Sequence, residues 1–119
     1  MGVRDLLKRL STPVEALDEE RLHEFCLDHP DAIPIANVVD RQRVTVVGEV
    51  ASVRIVPEAG TAWLEVTLSD GQDKLVAMWT GRRRLPGVEP GRRLVASGRA
   101  SATGAGGRML LMNPSYELI

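Results

Sequence analysis

The chain has little of what most enzymes and secreted proteins depend on. Its 119 residues hold one cysteine, two histidines and four aromatic side chains, Phe25, Trp63, Trp79 and Tyr116. A lone Cys26 excludes an intramolecular disulfide and is compatible with a reducing cytoplasm. No apolar run approaches the ~18–20 residues that a membrane span needs. Arg4, Asp5, Lys8 and Arg9 interrupt the first eleven residues, which therefore lack the apolar stretch of a signal peptide. A cytoplasmic location with no membrane partner is the expectation.

The same scarcity argues against catalysis. Two histidines, one cysteine and no paired-carboxylate or nucleophile motif leave nothing to assemble into a catalytic site, and no cofactor is expected. His23, Cys26 and His29 have an i, i+3, i+6 spacing that invites a metal. On a helix, however, His29 swings about 120° away from His23, and zinc normally takes a fourth ligand. A buried Cys26 with solvated histidines is the better reading. Gly104-x-Gly106-Gly107 resembles a phosphate loop, yet a strand follows it where a phosphate loop needs a helix N-terminus. It reads as a loop between two strands.

What is present is charge, unevenly spread. Residues 1–40 carry four basic and nine acidic side chains, a net −5, and residues 41–119 carry eleven and seven, a net +4. Such a split is a hint that one half binds a polyanion, and ordinary surface variation is the plain alternative. Thirteen of the fifteen basic residues are arginine, which grips phosphate bidentately and stacks on bases as lysine does not. A GC-rich genome would produce the same bias.

The acidic segment reads as helical. Val3, Leu6, Leu7 and Leu10 have helical spacing over the first ten residues. Thr12, Pro13 and Glu15 then form a capping-box signature for a second helix to about Leu27, with Leu17, Leu22, Phe25 and Cys26 near one face. Pro30 and Pro34 impose an extended lead-in from Ile33 to Val39. Residues 1–40 are thus a helical arm with its lead-in, and residues 41–119 a separate β domain.

That domain reads as five short strands. The first, Val44 to Ile55, switches its apolar parity after Val50, which predicts a bulge near Ala51-Ser52. Ala62 to Ser69 alternates cleanly, with Leu64, Val66 and Leu68 inward and Trp63 outward. Asp70-Gly71 suits a two-residue type I′ hairpin into Lys74–Trp79, where Leu75, Ala77 and Trp79 share the inner parity. Residues 81–91 hold two prolines and three glycines and permit at most one helical turn. Arg93 to Ser101 and Arg108 to Met112 complete the set, and Tyr116 is expected to pack the end. Val44-x-Val46-x-Gly48 and Leu94-x-Ala96-x-Gly98 are nearly one phrase, as in a small closed barrel.

The order of these elements, Leu68-Ser69-Asp70-Gly71, the two glycine-centred phrases and Asn113-Pro114-Ser115-Tyr116-Glu117-Leu118 resemble oligonucleotide/oligosaccharide-binding (OB) domains. Residues 41–119 are similar to the wedge domain of bacterial branch-migration helicases of the RecG type. They are also similar to small stand-alone OB-fold proteins of high-GC Gram-positive bacteria, which share an arginine-rich run after the third strand. The 119 residues carry no Walker motif, so the helicase motor is not part of the likeness. The resemblance implies a mainly β protein, a five-stranded Greek-key OB barrel behind a short N-terminal helical segment, that binds nucleic acid.

Arg82, Arg83, Arg84, Arg92 and Arg93 are the candidate phosphate contacts. Five such contacts would cost about a hundredfold in single-strand affinity between 50 and 200 mM salt. Trp63 is the candidate stacking platform. Barrels that grip single strands use several aromatics, each worth ~1–3 kcal/mol, so binding of single-stranded DNA or RNA should be weak and mainly electrostatic. The alternative is a module for a protein partner or for its own copy, favoured by the scarce aromatics and the near-neutral total. A further expectation is that the acidic arm lies across the basic barrel and competes with polyanions.

Overall fold

A computed structural model of the chain describes residues 14–58, 60–102 and 108–119. The helix expected over residues 1–10, the capping residues Thr12 and Pro13, and the loop at 103–107 lie outside them. The described elements are one helix, α1 (Val14–Leu27), a 3-10 turn (Ile35–Asn37), and six strands: β1 (Arg43–Glu58), β2 (Thr61–Ser69), β3 (Lys74–Thr80), β4 (Arg93–Ala102), β5 (Met109–Met112) and β6 (Ser115–Leu118). No helix among the described residues is long and apolar enough to cross a membrane.

The strands pair in the circuit β1-β2-β3-β5-β4-β1, so the sheet closes on itself. All pairs are antiparallel except β3–β5. This mainly β, closed layout fits the expected OB-type barrel. The two similar phrases lie against each other, with Val44 opposite Gly98, Val46 opposite Ala96 and Gly48 opposite Leu94. The close approach explains Gly48: a Cβ there would stand 3.0 Å from the Cβ of Leu68. The bulge falls where the parity switch put it, between Val50 and Ser52. Past it Val53 packs against the core, but Ile55, of the same parity, is 52% exposed.

The interior is filled by Val46, Val50, Leu64, Val66, Leu68, Leu75, Ala77, Leu94, Ala96 and Leu111. Both ends are plugged by the segments that lead into strands. Ile35 and Val38 enter from the N-terminal side, near the end of β4, where Arg41 N–H donates to the Ala100 carbonyl. Leu85 and Val88, from the loop before the start of β4, fill the other end. Outside the barrel, Val47 and Val95 face each other across β1–β4 and are covered by Leu22 and Cys26 of α1. Burying one such leucine is worth about 2 kcal/mol.

Three local expectations are corrected. Residues Ile33 to Val39 are not extended throughout, because Ile35–Asn37 make a 3-10 turn. The β2–β3 connection is not a two-residue type I′ turn: the strands end in the pair Ser69–Lys74, leaving four loop residues. Only Gly71 of that loop has positive φ, +92°, whereas type I′ needs it at both central positions. The Asp70 carboxylate instead accepts the amides of Gln72 and Asp73, at 3.0 and 2.8 Å. Finally, Ser115–Leu118 is a sixth strand, paired with β4.

Candidate functional site

Arg82, Arg83 and Arg84 are exposed on the loop that leaves β3. Leu85, buried next to them, anchors that loop to the core, so the run is held at the barrel end rather than on a free tether. Trp63 is in register with Thr80, the last residue of β3. It is half-buried on the outer face of β2, and Gly81 N–H donates to the Ala62 carbonyl at 3.0 Å. The arginine run therefore starts beside Trp63.

The other two arginines go elsewhere. Arg92 is exposed at the far end of the same loop, where its carbonyl accepts the Val50 amide at 2.8 Å. Arg93 is opposite Glu49 in register, and its guanidinium lies 4.4 Å from the centre of the Phe25 ring. That cation–π contact helps hold α1 on the barrel. The acidic helix therefore meets the basic half at Arg93, on the β1–β4 side.

The outer face of β2 and β3 is mixed. Arg54 and Glu65, in register on β1 and β2, form an ion pair in which Arg54 Nη2 donates to both carboxylate oxygens, at 3.0 and 3.2 Å. Such an exposed pair contributes only about 0.2–1 kcal/mol, so the guanidinium can change partner at little cost. Beside it stand Val76 and Met78 of β3, in register with Leu110 and Met112 of β5.

A cleft of about 390 Å³ lies at the same barrel end as the arginines, lined by Trp79, Arg82, Leu85, Asn113, Ser115 and Tyr116 with Pro114. It exists because β5 follows β3 for only three residue pairs, up to Met78–Met112. Asn113, at φ +48°, then turns the chain so that β6 runs along β4. Trp79 Nε1–H spans the gap to the Pro114 carbonyl at 3.0 Å. Trp79 and Tyr116 meet edge to face, 5.7 Å between centroids at 77°. Tyr116 does pack the barrel end, yet it keeps part of its surface and shares the cleft with Arg82. The alternation of Ser115, Tyr116, Glu117 and Leu118 was the signal for this strand.

His23, Cys26 and His29 do not converge. His23 Nδ1–H donates to the Asp70 carbonyl at 3.1 Å, and His29 Nδ1 accepts the Asp31 amide at 3.3 Å. Cys26 is buried between α1, which carries it, and the barrel, and burial, with the Asp70 charge second, pushes its thiol up to about 11. Among the described residues no group of three His, Cys, Asp or Glu side chains is placed to hold a metal ion.

Closed β circuit, plugged ends and an outer helix together describe a mainly β module whose layout is compatible with an OB-like barrel. No protein-family model matches the chain, and no curated protein does. Among solved structures it is similar to RecG bound to a three-way DNA junction, with a TM-score of 0.59 and 20% identity. The likeness covers 95% of this chain and 16% of that one. It therefore reaches beyond the barrel into α1. At that identity it establishes a shared fold.

Proposed function

We propose that the chain is a nucleic-acid-binding module that holds single-stranded DNA or RNA weakly and mainly by charge. Arg82, Arg83 and Arg84 contact phosphates, and Trp63 offers a ring for a base. The observation that carries this reading is their placement, three consecutive exposed arginines starting two residues after the partner of Trp63. The fold shared with a protein whose structure was determined on a DNA junction supports it. Arg92 adds charge at the far end of the loop, and Arg93 serves mainly to dock α1. Dissociation constants in the range of about 1–100 µM are expected at physiological salt.

Titration of fluorescent 15-mers of DNA and RNA at 50 mM salt tests the reading. Saturation that is lost in Arg82→Ala/Arg83→Ala/Arg84→Ala supports it. Absence of binding at about 100 µM, or binding unaltered by the triple substitution, defeats it.

A second reading, a protein-interaction module, is favoured by the uncovered apolar side chains of Ile55 and Met112, 52% and 38% exposed. It predicts association that survives 0.5 M salt, which removes a phosphate-based complex. Sedimentation at high salt separates the two.

A further inference from the structure

We propose that the cleft between the end of β3 and the kinked β5–β6 segment is a seat for one unstacked nucleotide, its base on Tyr116 and its phosphate on Arg82. This rests on the nucleic-acid reading above and adds a second contact point, distinct from Trp63 on the outer face of β2.

Size comes first. A cleft of about 390 Å³ lies within the range of small-ligand sites, ~300–1,000 Å³. Its chemistry comes second. An edge-to-face contact occupies at most one face of a ring, and Tyr116 is partly exposed while Trp79 is 5% exposed. Tyr116 thus retains surface for stacking, above a Trp79 that is fixed by its own hydrogen bond. Arg82 lines the same cleft, and its planar fork suits a phosphate.

The remaining wall is polar. Asn113 Oδ1 accepts the Thr80 amide at 3.0 Å, and its Nδ2 donates to Thr80 Oγ1 at 3.3 Å. That arrangement leaves the second Nδ2 hydrogen for a base edge. Ser115 Oγ–H donates to the Ser97 carbonyl at 3.3 Å and keeps its acceptor lone pairs. A ring to stack on, a guanidinium for phosphate and an amide for a base edge are the groups by which proteins hold splayed-out nucleotides.

The chain has two tryptophans, Trp63 and Trp79, so Trp63→Phe leaves Trp79 as the sole reporter on the cleft floor. Oligo-dT 15-mer titrated into that variant at 50 mM salt should change Trp79 emission on saturation. Tyr116→Ala should weaken binding about 5- to 150-fold, and Tyr116→Phe, which keeps the ring, less than about 3-fold. Because Tyr116→Ala also disturbs packing on Trp79, Ser115→Glu is the second variant. It places a carboxylate in the cleft from an exposed position and should weaken binding at least about 5-fold while the far-UV spectrum and melting curve stay native. Unchanged Trp79 emission, or native-like affinity in both Tyr116→Ala and Ser115→Glu, overturns the cleft proposal. If the arginine triple variant still loses binding in that case, the broader reading stands. If the wild-type chain binds no oligonucleotide, both fall.

Discussion

The backbone N–H of Ile35 donates a 2.9 Å hydrogen bond to Oδ2 of Asp70, 35 positions further along the chain. Asp70 is 2% exposed, its Oδ1 takes the amides of Gln72 and Asp73, and its carbonyl takes Nδ1 of His23. One residue thus ties the helix, the lead-in and the β2–β3 loop together. Asp70→Ala leaves the Ile35 amide buried without an acceptor and frees the loop. We expect a loss of about 2–4 kcal/mol, and a smaller one for Asp70→Asn, which keeps a carbonyl oxygen. Urea unfolding measures both, and an unchanged midpoint for Asp70→Ala contradicts the hub role.

Gly71 is where the β2–β3 loop comes closest to the backbone of α1. It has φ +92°, and a Cβ there would fall 2.0 Å from the Glu19 carbonyl oxygen. Gly71→Ala should lift the helix away, adding about 1–2 kcal/mol of backbone strain. Hydrogen exchange should show lost protection across Val14–Leu27 with the β1–β4 amides still protected. Retained protection of the helix would show that the contact relaxes without undocking.

Cys26 supplies a pH dependence. Burial raises its thiol from 9.0 to about 11 in the folded chain. Between those values the unfolded chain releases a proton that the folded chain keeps, so stability falls as pH rises. The contribution is whole below pH 9 and is lost on the way to about pH 11. Cys26→Ala should flatten the decline in that window, and native Cys26 should resist thiol reagents at pH 8. Equal slopes in both proteins would contradict the assignment.

Much of the barrel was legible because its signals are local and periodic. Inward Leu64, Val66 and Leu68 and the parity switch after Val50 each declared a strand or a bulge, as observed. Where a side chain took over a backbone role, the pattern misled. Asp70-Gly71 has the composition of a tight hairpin, but its carboxylate captures two loop amides and makes a longer turn. Asn113-Pro114 reads as an ending, and in fact ends the pairing with β3 while the chain continues along β4 as β6. Ile35 and Val38 lie in a stretch that reads as a linker, yet they fill the core, a tertiary fact that no local period carries. For the site, the run Arg82–Arg84 was plain from sequence. The separation of Arg93 from it was not, because that depends on Phe25 docking 68 positions away.

The acidic helix offers a test of charge competition that leaves the fold intact. Removing residues 1–40 would take Ile35 and Val38 out of the core, so substitution is the better probe. Glu20, Glu24 and Asp28 are exposed at i, i+4, i+8 spacing on α1 and the turn after it. Glu20→Gln/Glu24→Gln/Asp28→Asn should raise oligonucleotide affinity about 2- to 10-fold at 50 mM salt and leave it unchanged at 500 mM. Fluorescence anisotropy reads the difference. Equal affinities at low salt would show that the helix and the phosphate contacts do not compete.

If Arg82, Arg83 and Arg84 hold phosphates, the salt dependence of binding must change when they are removed. Each phosphate contact on a single strand contributes about −0.7 to the slope of log K against log salt. A wild-type slope of about −2 or steeper is expected, reduced in magnitude by about 2 in the Arg82→Ala/Arg83→Ala/Arg84→Ala variant. Equal slopes in the two proteins, or a wild-type slope near zero, would contradict it.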